Sequence, residues 1–228
     1  ELYADSDVRG PGYEKKGTGN TKQWGWFLGP VHKAGSTTDF YLDEDVVDDA
    51  NPKGTPTVIR PEVSSLTNAH NFDGARLNKW EIDQTGTYTY CENDFVLMRY
   101  ADVLWMKEEA IKRGGAGTSG VNSEDFQNML KRSFAYDGDS KVAFEKAYGN
   151  VAGWTVDQIL DERGREFTWE MIRRRDLIRY NKYVEGNYVW PFKGGASSGQ
   201  ALANHMKLFP IPDEDLVANE NLVQNPGY

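Results

Sequence analysis

The sequence has 228 residues, and its 26 basic and 35 acidic side chains give a formal net charge of −9 at pH 7. This charge repels phosphate backbones and anionic lipids, so nucleic acid and acidic membrane surfaces are poor partners. The single cysteine, Cys91, excludes an internal disulfide and any cysteine-rich zinc or iron–sulfur centre. A chain of this length forms one large domain or two small ones, and it can bury a core without disulfides.

The sequence contains no apolar run of the roughly 18 residues that a membrane-spanning helix needs. It begins at Glu1, without a methionine, a basic segment or an apolar signal segment. We therefore expect a mature form or an excised fragment of a longer protein.

Two stretches differ in character, and the change lies near Asp94. Residues 1–93 are rich in glycine and aromatic residues and lack a sustained helical period. They predict a loop-rich, aromatic-rich region with a few short strands, such as 57–59 and 87–90, packed on the helical part. Residues 94–228 are predicted to be the helical region, and we expect one structural domain overall.

The helical region predicts long helices at 94–113 and 155–181, with shorter ones after Asn122 or Ser123 and over 141–148. Asp94 is the expected cap of the first, and Thr155 with Gln158 forms a capping-box pattern. We expect the two long helices to pack together as an antiparallel pair, with Arg99 or Arg174 close to a carboxylate. The expected contact residues are Leu97, Ala101, Leu104, Phe167 and Met171.

The C-terminal tail alternates apolar residues with prolines between Phe209 and Pro212. This pattern predicts an extended strap whose inward side chains, Phe209 and Ile211, are buried. Asp213 is expected to cap a single helical turn.

The sequence offers no support for nucleophilic catalysis, because it contains neither a Gly-x-Ser-x-Gly elbow nor a Cys–His signature. The G-x-G-x-x-G string at 115–120 follows a helix and not a strand, so it is interpreted as a linker. No cofactor is expected. The acidic stretch at 39–49 is interpreted as a solvated charge run, with calcium as the alternative.

The aromatic residues of the irregular region are the best candidates for a binding site. Trp24 and Trp26 alternate around Gly25, so one indole is expected to face inward and the other outward. A flat indole can stack on the apolar face of a sugar ring while polar neighbours bind its hydroxyls; the alternative is that both tryptophans fill the core. The predicted ligand-binding residues are Trp24, Trp26, Tyr41, His32, Asp39 and Arg76, with Tyr188 and Trp190 in reserve.

Three segments resemble the SusD/RagB family of outer-membrane nutrient-binding lipoproteins. The first, at 95–110, is FVLMRYADVLWMKEEA, with an Arg-Tyr-Ala core. The second, at 159–180, holds a Glu-Arg-x-x-Glu pattern and ends in Asp-Leu-x-Arg. The third, at 208–228, contains Pro-Ile-Pro and Gln-Asn-Pro-Gly-Tyr. Where the family usually has a Glu-Gly-x-Arg-Trp-like run, this chain has Trp-Glu-Met-Ile-Arg-Arg at 169–174.

The resemblance implies a mainly α, SusD-like helical domain with long irregular loops and a few short strands. Family members are longer, with a lipidated N-terminal cysteine and tetratricopeptide-like (TPR-like) helices, so this chain is similar to their C-terminal part and the TPR-like part is expected to be absent. The resemblance also implies a surface-exposed, lipid-anchored protein of the cell outer membrane that acts in polysaccharide utilisation. It is expected to bind an oligosaccharide or polysaccharide, deliver it to a SusC-like TonB-dependent transporter, and have no enzyme activity.

Two other functions stay open at this point. One is a glycoside-cleaving enzyme that uses two of the acidic residues, and the other is a helical scaffold that binds protein partners. Product release from oligosaccharides distinguishes the enzyme, and calorimetry against glycans distinguishes the scaffold.

Overall fold

The computed structural model describes residues 3–4, 7–10, 25–31, 54–63, 65, 67, 69–80, 92–135, 138–186 and 188–228. The chain divides into two compact units, Glu1–Glu170 and Met171–Tyr228. Among the described residues, helices are the main regular structure and the strands are short, which confirms the expected mainly α fold. The expectation of one structural domain, changing in character at residue 94, stays a prediction.

The described residues of the first unit form four strands and four α-helices. The strands are β1 (Gly25–Phe27), β2 (Gly29–Pro30), β3 (Val58–Ile59) and β4 (Arg76–Asn78). The helices are α1 (Tyr100–Lys112), α2 (Glu124–Lys131), α3 (Ser140–Tyr148) and α4 (Val156–Glu166). The second unit contains α5 (Arg173–Arg179) and α6 (Asp213–Ala218). Within this described part, no helix combines the length and the apolar character that crossing a membrane requires.

The strands form two small antiparallel ribbons. β1 pairs with β4, so that Trp26 lies opposite Leu77, and β2 pairs with β3. Ile59 and Phe72 form a small buried cluster beside the ribbons. The strand expected at 57–59 is present as β3, and the one expected at 87–90 lies outside the described residues.

The core of the helical part of the first unit is largely aromatic. Trp105 of α1 is fully buried, stacks on Trp154 at 5.8 Å between ring centroids, and meets Phe126 of α2 edge-on at 4.9 Å. Phe144 of α3 continues this cluster toward Phe134, at 6.0 Å. α1 packs on α4, which confirms the predicted packing between the two long helices. α2 packs on both α1 and α3.

The predicted bounds and buried face of the first long helix are wrong in part. α1 begins at Tyr100 and not at Asp94, and Leu97 is 86% exposed in the extended segment before it. Inside the helix, the fully buried residue is Trp105, whereas Leu104 is only half-buried. The apolar period in the sequence extends to the residues before Tyr100, but these residues are not helical.

The buried face of α1 also carries acidic residues, which a search for apolar stripes cannot identify. Asp102 forms an ion pair with Arg163 of α4 at 2.7 Å, and both side chains are almost fully buried. Glu108 accepts hydrogen bonds from the Ser119 hydroxyl, at 2.7 Å, and from the backbone N–H of Gly120. Each buried carboxylate therefore has a partner, as burial requires.

Side chains cap the starts of α2, α3 and α4. The Ser123 side chain caps α2 by accepting from the backbone N–H of Phe126, and Asp139 caps α3 in the same way. Thr155 and Gln158 form the predicted capping box at the start of α4.

The second long helix, predicted over 155–181, is interrupted. α4 ends at Glu166 and α5 begins at Arg173. Between them, Trp169 and Met171 adopt left-handed backbone conformations, with φ of 65° and 62°. Met171 is consequently 80% exposed, and the predicted contact through its side chain is wrong. The apolar period continues across this break, so the periodicity alone could not locate it.

A buried carboxylate, Glu166, connects three separate parts of the first unit. Its oxygens receive hydrogen bonds from Arg9 at 3.2 Å, from Arg99 at 2.9 Å and from Arg132 at 2.9 Å. We call these four residues the Glu166 network. Burial raises the pKa of Glu166, but Arg9, Arg132 and Arg99 together lower it to about 2. Glu166 therefore stays ionised at neutral pH, and the prediction that Arg99 lies beside a carboxylate is confirmed.

Glu170, after the end of α4, extends these contacts to the β1–β4 ribbon. Arg99 donates to both of its carboxylate oxygens at 2.8 Å. Lys79, which follows β4, donates to Glu170 and to the carbonyl oxygen of Glu166. The ribbon is thereby connected to the end of α4 by charged hydrogen bonds.

The second unit holds its C-terminal strap by hydrogen bonds to the backbone more than by apolar burial. The Gln224 side chain binds both the N–H and the carbonyl of Ile211, at 2.8 and 2.9 Å. Ile211 is half-buried, but Phe209 is 70% exposed, so the predicted burial of Phe209 is wrong. The guanidinium of Arg174 lies 4.1 Å from the Phe209 ring and donates to the carbonyls of Met206 and Lys207. One face of the Phe209 ring is covered by this cation. Arg174 was predicted to lie close to a carboxylate, but its hydrogen-bond partners here are these two carbonyl oxygens.

The predicted cap of the last helix, Asp213, is wrong. The residue before the helix is Pro212, and Asp213 is its first helical residue and not its cap. An acidic residue in the first turn still stabilises the helix dipole.

Replacing Glu166 by glutamine should destabilise the protein by about 3 kcal/mol, because three arginines then lose their shared buried anion. Glu145→Gln is the matched control, since Glu145 pairs with Lys141 at 3.7 Å on the surface, and it should cost less than about 1 kcal/mol. The free energy of unfolding, measured with urea, distinguishes the two. Equal losses in both variants would contradict the structural role of Glu166.

The stability of Glu166→Gln and of the parent protein should also differ in its dependence on pH. The folded pKa of Glu166, about 2, lies below its ordinary value of 4.5. Its contribution to stability is therefore complete above about pH 4.5 and is lost as the pH falls toward 2. Glu166→Gln should lower the dependence of the unfolding free energy on pH across this window, compared with the parent.

Replacing Met171 by glycine should stabilise the protein by about 1 kcal/mol, because the left-handed conformation strains every residue except glycine and this side chain is exposed. Met206→Gly, at an ordinary backbone conformation in the same unit, should instead destabilise it by a similar amount. Thermal melting of both variants gives the sign of each change. A lower melting temperature for Met171→Gly would contradict the strain.

Candidate functional site

The first unit contains a cleft of about 180 Å³ between the β1–β4 ribbon, the segment around Tyr3 and Arg9, and the helices. Its lining combines aromatic, hydroxyl and charged side chains. The aromatic and hydroxyl residues are Tyr3, Trp26 and Thr168. The charged residues are Arg9, Lys79, Arg99, Arg132, Arg165 and Glu166.

Trp26 reaches the cleft because of its position in the ribbon. It pairs with Leu77 across the two strands, and paired side chains lie on the same face. Both residues line the cleft. Gly25 also lines it, with φ of 86°, and a Cβ there would lie 2.3 Å from the carbonyl oxygen of Arg9. Only glycine allows the ribbon to approach the chain at residue 9 this closely, which places Trp26 beside that chain.

Arg76, another predicted site residue, lies on the other face of the ribbon. It pairs with Phe27, the neighbour of Trp26, and side chains alternate between the faces of a strand. Its guanidinium donates to the carbonyl oxygens of Asn71, Asp73 and Gly74. Arg76 therefore stabilises a turn and does not line the cleft.

A second tryptophan, Trp169, lies against Trp26, which lines the cleft. Its ring meets Trp26 edge-on, with 5.9 Å between centroids and 60° between planes. The side chain is 60% exposed, while Trp26 is half-buried. The Trp26–Trp169 pair thus presents indole surface next to polar groups, as sugar-binding sites require.

Two arginines at the floor of the cleft form ion pairs with carboxylates. Arg9 donates to Asp7 at 2.7 Å and to Glu162 at 2.5 Å, and Arg165 donates to Glu162 at 2.7 Å. Burial lowers the pKa of Arg9, but Glu162 and Asp7 raise it well above its ordinary value. Arg9 therefore stays charged, and these ion pairs hold the walls of the cleft together.

Hydroxyl groups line the wall below Trp26. The Tyr3 hydroxyl lies 2.7 Å from that of Thr168 and donates to the carbonyl of Arg165 at 3.1 Å. Burial raises the pKa of Tyr3, although hydrogen bonds with Thr168 and Trp26 partly offset this. Tyr3 is therefore neutral and fixed in place at physiological pH.

The reserve pair, Tyr188 and Trp190, lies in the second unit. Their ring centroids are 5.9 Å apart, and the Lys193 ammonium lies 4.6 Å from the Trp190 ring. Lys193 is only 2% exposed, and burial lowers its pKa. Arg173 donates to the Tyr188 hydroxyl at 3.1 Å. This pair forms a second aromatic surface, which is 37% exposed at Trp190.

The remaining predicted site residues lie outside the described residues: Trp24, His32, Asp39 and Tyr41. The acidic stretch at 39–49, the calcium alternative, also lies outside them. Among the residues that are described, no group of three or more histidine, cysteine or carboxylate side chains is placed to hold a metal ion.

Sequence reasoning missed Trp169, which contacts Trp26, and Arg132, which lines the cleft. Trp169 does not lie on the apolar stripe of the predicted helix, and its exposure results from the break after Glu166. Arg132 follows α2 directly, and nothing in the sequence distinguishes it from the other arginines. Their positions depend on tertiary contacts, and no local pattern in the sequence marks either of them.

The chain is similar to known proteins over most of its length. The SusD family model matches residues 9–228. The starch-binding protein SusD of Bacteroides thetaiotaomicron is 31% identical over 161 residues, which cover 68% of this chain and 26% of that protein. The SusD-like protein P2 of Formosa agariphila is 31% identical over 136 residues, covering 59% of this chain and 26% of that protein.

The matched stretch therefore spans about a quarter of the length of each of these curated relatives. The segments that carried the resemblance, with Arg99, Glu162 and Glu166 among their residues, all lie inside the region that the family model matches. This agreement over nearly the whole sequence shows that the chain belongs to the SusD family.

Proposed function

We propose that the chain is part of a glycan-binding, cell-surface component of a SusCD-type nutrient uptake system. In this proposal the full-length protein is anchored by a lipid in the outer membrane and delivers oligosaccharide to a SusC-like TonB-dependent transporter. Membership of the SusD family supports it, as does the name of the relative from B. thetaiotaomicron, a starch-binding protein. The observation that carries it is the Trp26–Trp169 pair beside a polar cleft.

The size of the cleft favours recognition of a small part of a glycan. Pockets that enclose whole drug-sized ligands measure about 300–1,000 Å³. At about 180 Å³, this cleft is smaller than that range. It suits one sugar ring or the end of a chain, with neighbouring rings stacked across the exposed face of Trp169.

The charge states in the cleft favour binding over glycoside cleavage. A general acid in a glycosidase needs a raised pKa, so that the carboxyl group is protonated near neutral pH. The pKa of Glu166 is lowered to about 2, and Glu162 and Glu170 are held in ion pairs with arginines. Glu166 is therefore not suited to donate a proton to a leaving group.

A scaffold that binds protein partners is the second candidate. Large apolar side chains are exposed at and before the start of α1, including Phe95 at 66%, Met98 at 60% and Tyr100 at 61%. Exposed apolar surface of this kind is typical of protein contacts. Calorimetry separates the two functions, because a scaffold alone gives no binding with any glycan of a panel.

Replacing Trp26 or Trp169 by alanine should weaken binding of the best-binding glycan of such a panel by about tenfold, because each variant removes one stacking surface. Trp190→Ala is the matched control from the second unit and should leave affinity unchanged. Titration calorimetry measures the three affinities, and circular dichroism checks folding. Unchanged affinity in both cleft variants would contradict this location, and loss in Trp190→Ala alone would move the site to the Tyr188–Trp190 pair.

A further inference from the structure

Among the described residues, the lining of the cleft is rich in positive charge, although the protein as a whole has a net charge of −9. Five cations contribute to this lining: Arg9, Lys79, Arg99, Arg132 and Arg165. In the described part of the chain, they form ion pairs with four carboxylates: Asp7, Glu162, Glu166 and Glu170.

Of these five cations, Arg132 is the one most available to a ligand. Arg9 and Arg99 use their Nε, Nη1 and Nη2 groups in hydrogen bonds, and the Lys79 ammonium binds three oxygens. Arg132 makes a single hydrogen bond, from Nη2 to Glu166, within the described residues. Its side chain is 55% exposed. Most of its five N–H donors are thus directed to solvent.

We propose that this cleft selects an acidic glycan, whose carboxylate or sulfate ester binds the guanidinium of Arg132 while a sugar ring stacks on the Trp26–Trp169 pair. The inference rests on the proposed function and adds the chemical class of the ligand. A guanidinium presents parallel N–H groups that match two oxygens of a carboxylate or sulfate. A neutral sugar covering Arg132 would remove water from the charge without supplying a counter-charge.

The net negative charge of the protein does not prevent this selection. At physiological ionic strength the Debye length is about 8 Å, so exposed charges farther away are largely screened. The groups that touch the ligand therefore decide its preference, and among the described lining residues the unused hydrogen-bond donors belong mainly to Arg132.

The test is titration calorimetry of the full 228-residue chain with matched pairs of oligosaccharides. One pair is trigalacturonate and its methyl ester, and the other is a sulfated carrageenan oligosaccharide and its desulfated form. In at least one pair, the acidic form should bind about tenfold more tightly than the neutral form, or better. The first pair reports on carboxylate and the second on sulfate.

Three variants assign the preference to its residue. Arg132→Met should remove the difference between the acidic and neutral forms, and Arg132→Lys should keep most of it. Arg113→Met, a control at a half-exposed arginine that binds Glu109, should leave the preference unchanged. If Arg132→Met is unfolded by circular dichroism, Arg132→Gln replaces it, because glutamine also removes the positive charge and should likewise remove the difference between the acidic and neutral forms. An unchanged difference in the folded, uncharged variant would overturn the assignment to Arg132.

The outcomes separate this inference from the proposed function. Equal or tighter binding of the neutral forms overturns the selection of acidic glycans and leaves glycan binding intact. Absence of binding to every member of both pairs and to a panel of neutral oligosaccharides overturns both. A preference for the acidic form that survives in Arg132→Met also overturns the inference, because the charge then acts elsewhere.

Discussion

The first unit depends on one buried carboxylate, Glu166, and the three arginines that contact it. Arg9 comes from the irregular N-terminal region, Arg99 precedes α1, and Arg132 follows α2. A buried charge is costly unless it is paired, so these segments must meet at one place for the fold to be stable. The contact explains why a chain with few strands and many loops forms a defined ribbon beside its helices. It also explains two of the family-like patterns, since Arg99 and Glu166 belong to them.

The same contacts produce the shape of the cleft. Lys79 and Arg99 bind Glu170 just after α4 ends, and the chain there turns through the left-handed residues Trp169 and Met171. That turn exposes the Trp169 ring next to Trp26. Left-handed conformations of residues other than glycine are strained and occur frequently at functional sites. In our interpretation, the ion pairs stabilise a strained segment that presents an aromatic surface.

The sequence predicted the features that local patterns determine. The capping box at Thr155 and the mainly helical class follow from short-range rules, and they are confirmed. The break after Glu166 could not be predicted, because the apolar period runs through it and the residues that bind Glu170 beside it, Lys79 and Arg99, are distant in the sequence. Of the predicted site, Trp26 lies in the cleft, whereas Arg76 faces the other way because strand pairing alternates the side chains.

The most direct test of this account is a crystal structure of the chain with a bound oligosaccharide that calorimetry has identified. The account predicts a sugar ring stacked on Trp26 or Trp169, an anionic group at Arg132, and Glu166 in contact with its three arginines below. An oligosaccharide bound at Tyr188 and Trp190, with no ligand near Trp26, would contradict the account of the cleft as the glycan site.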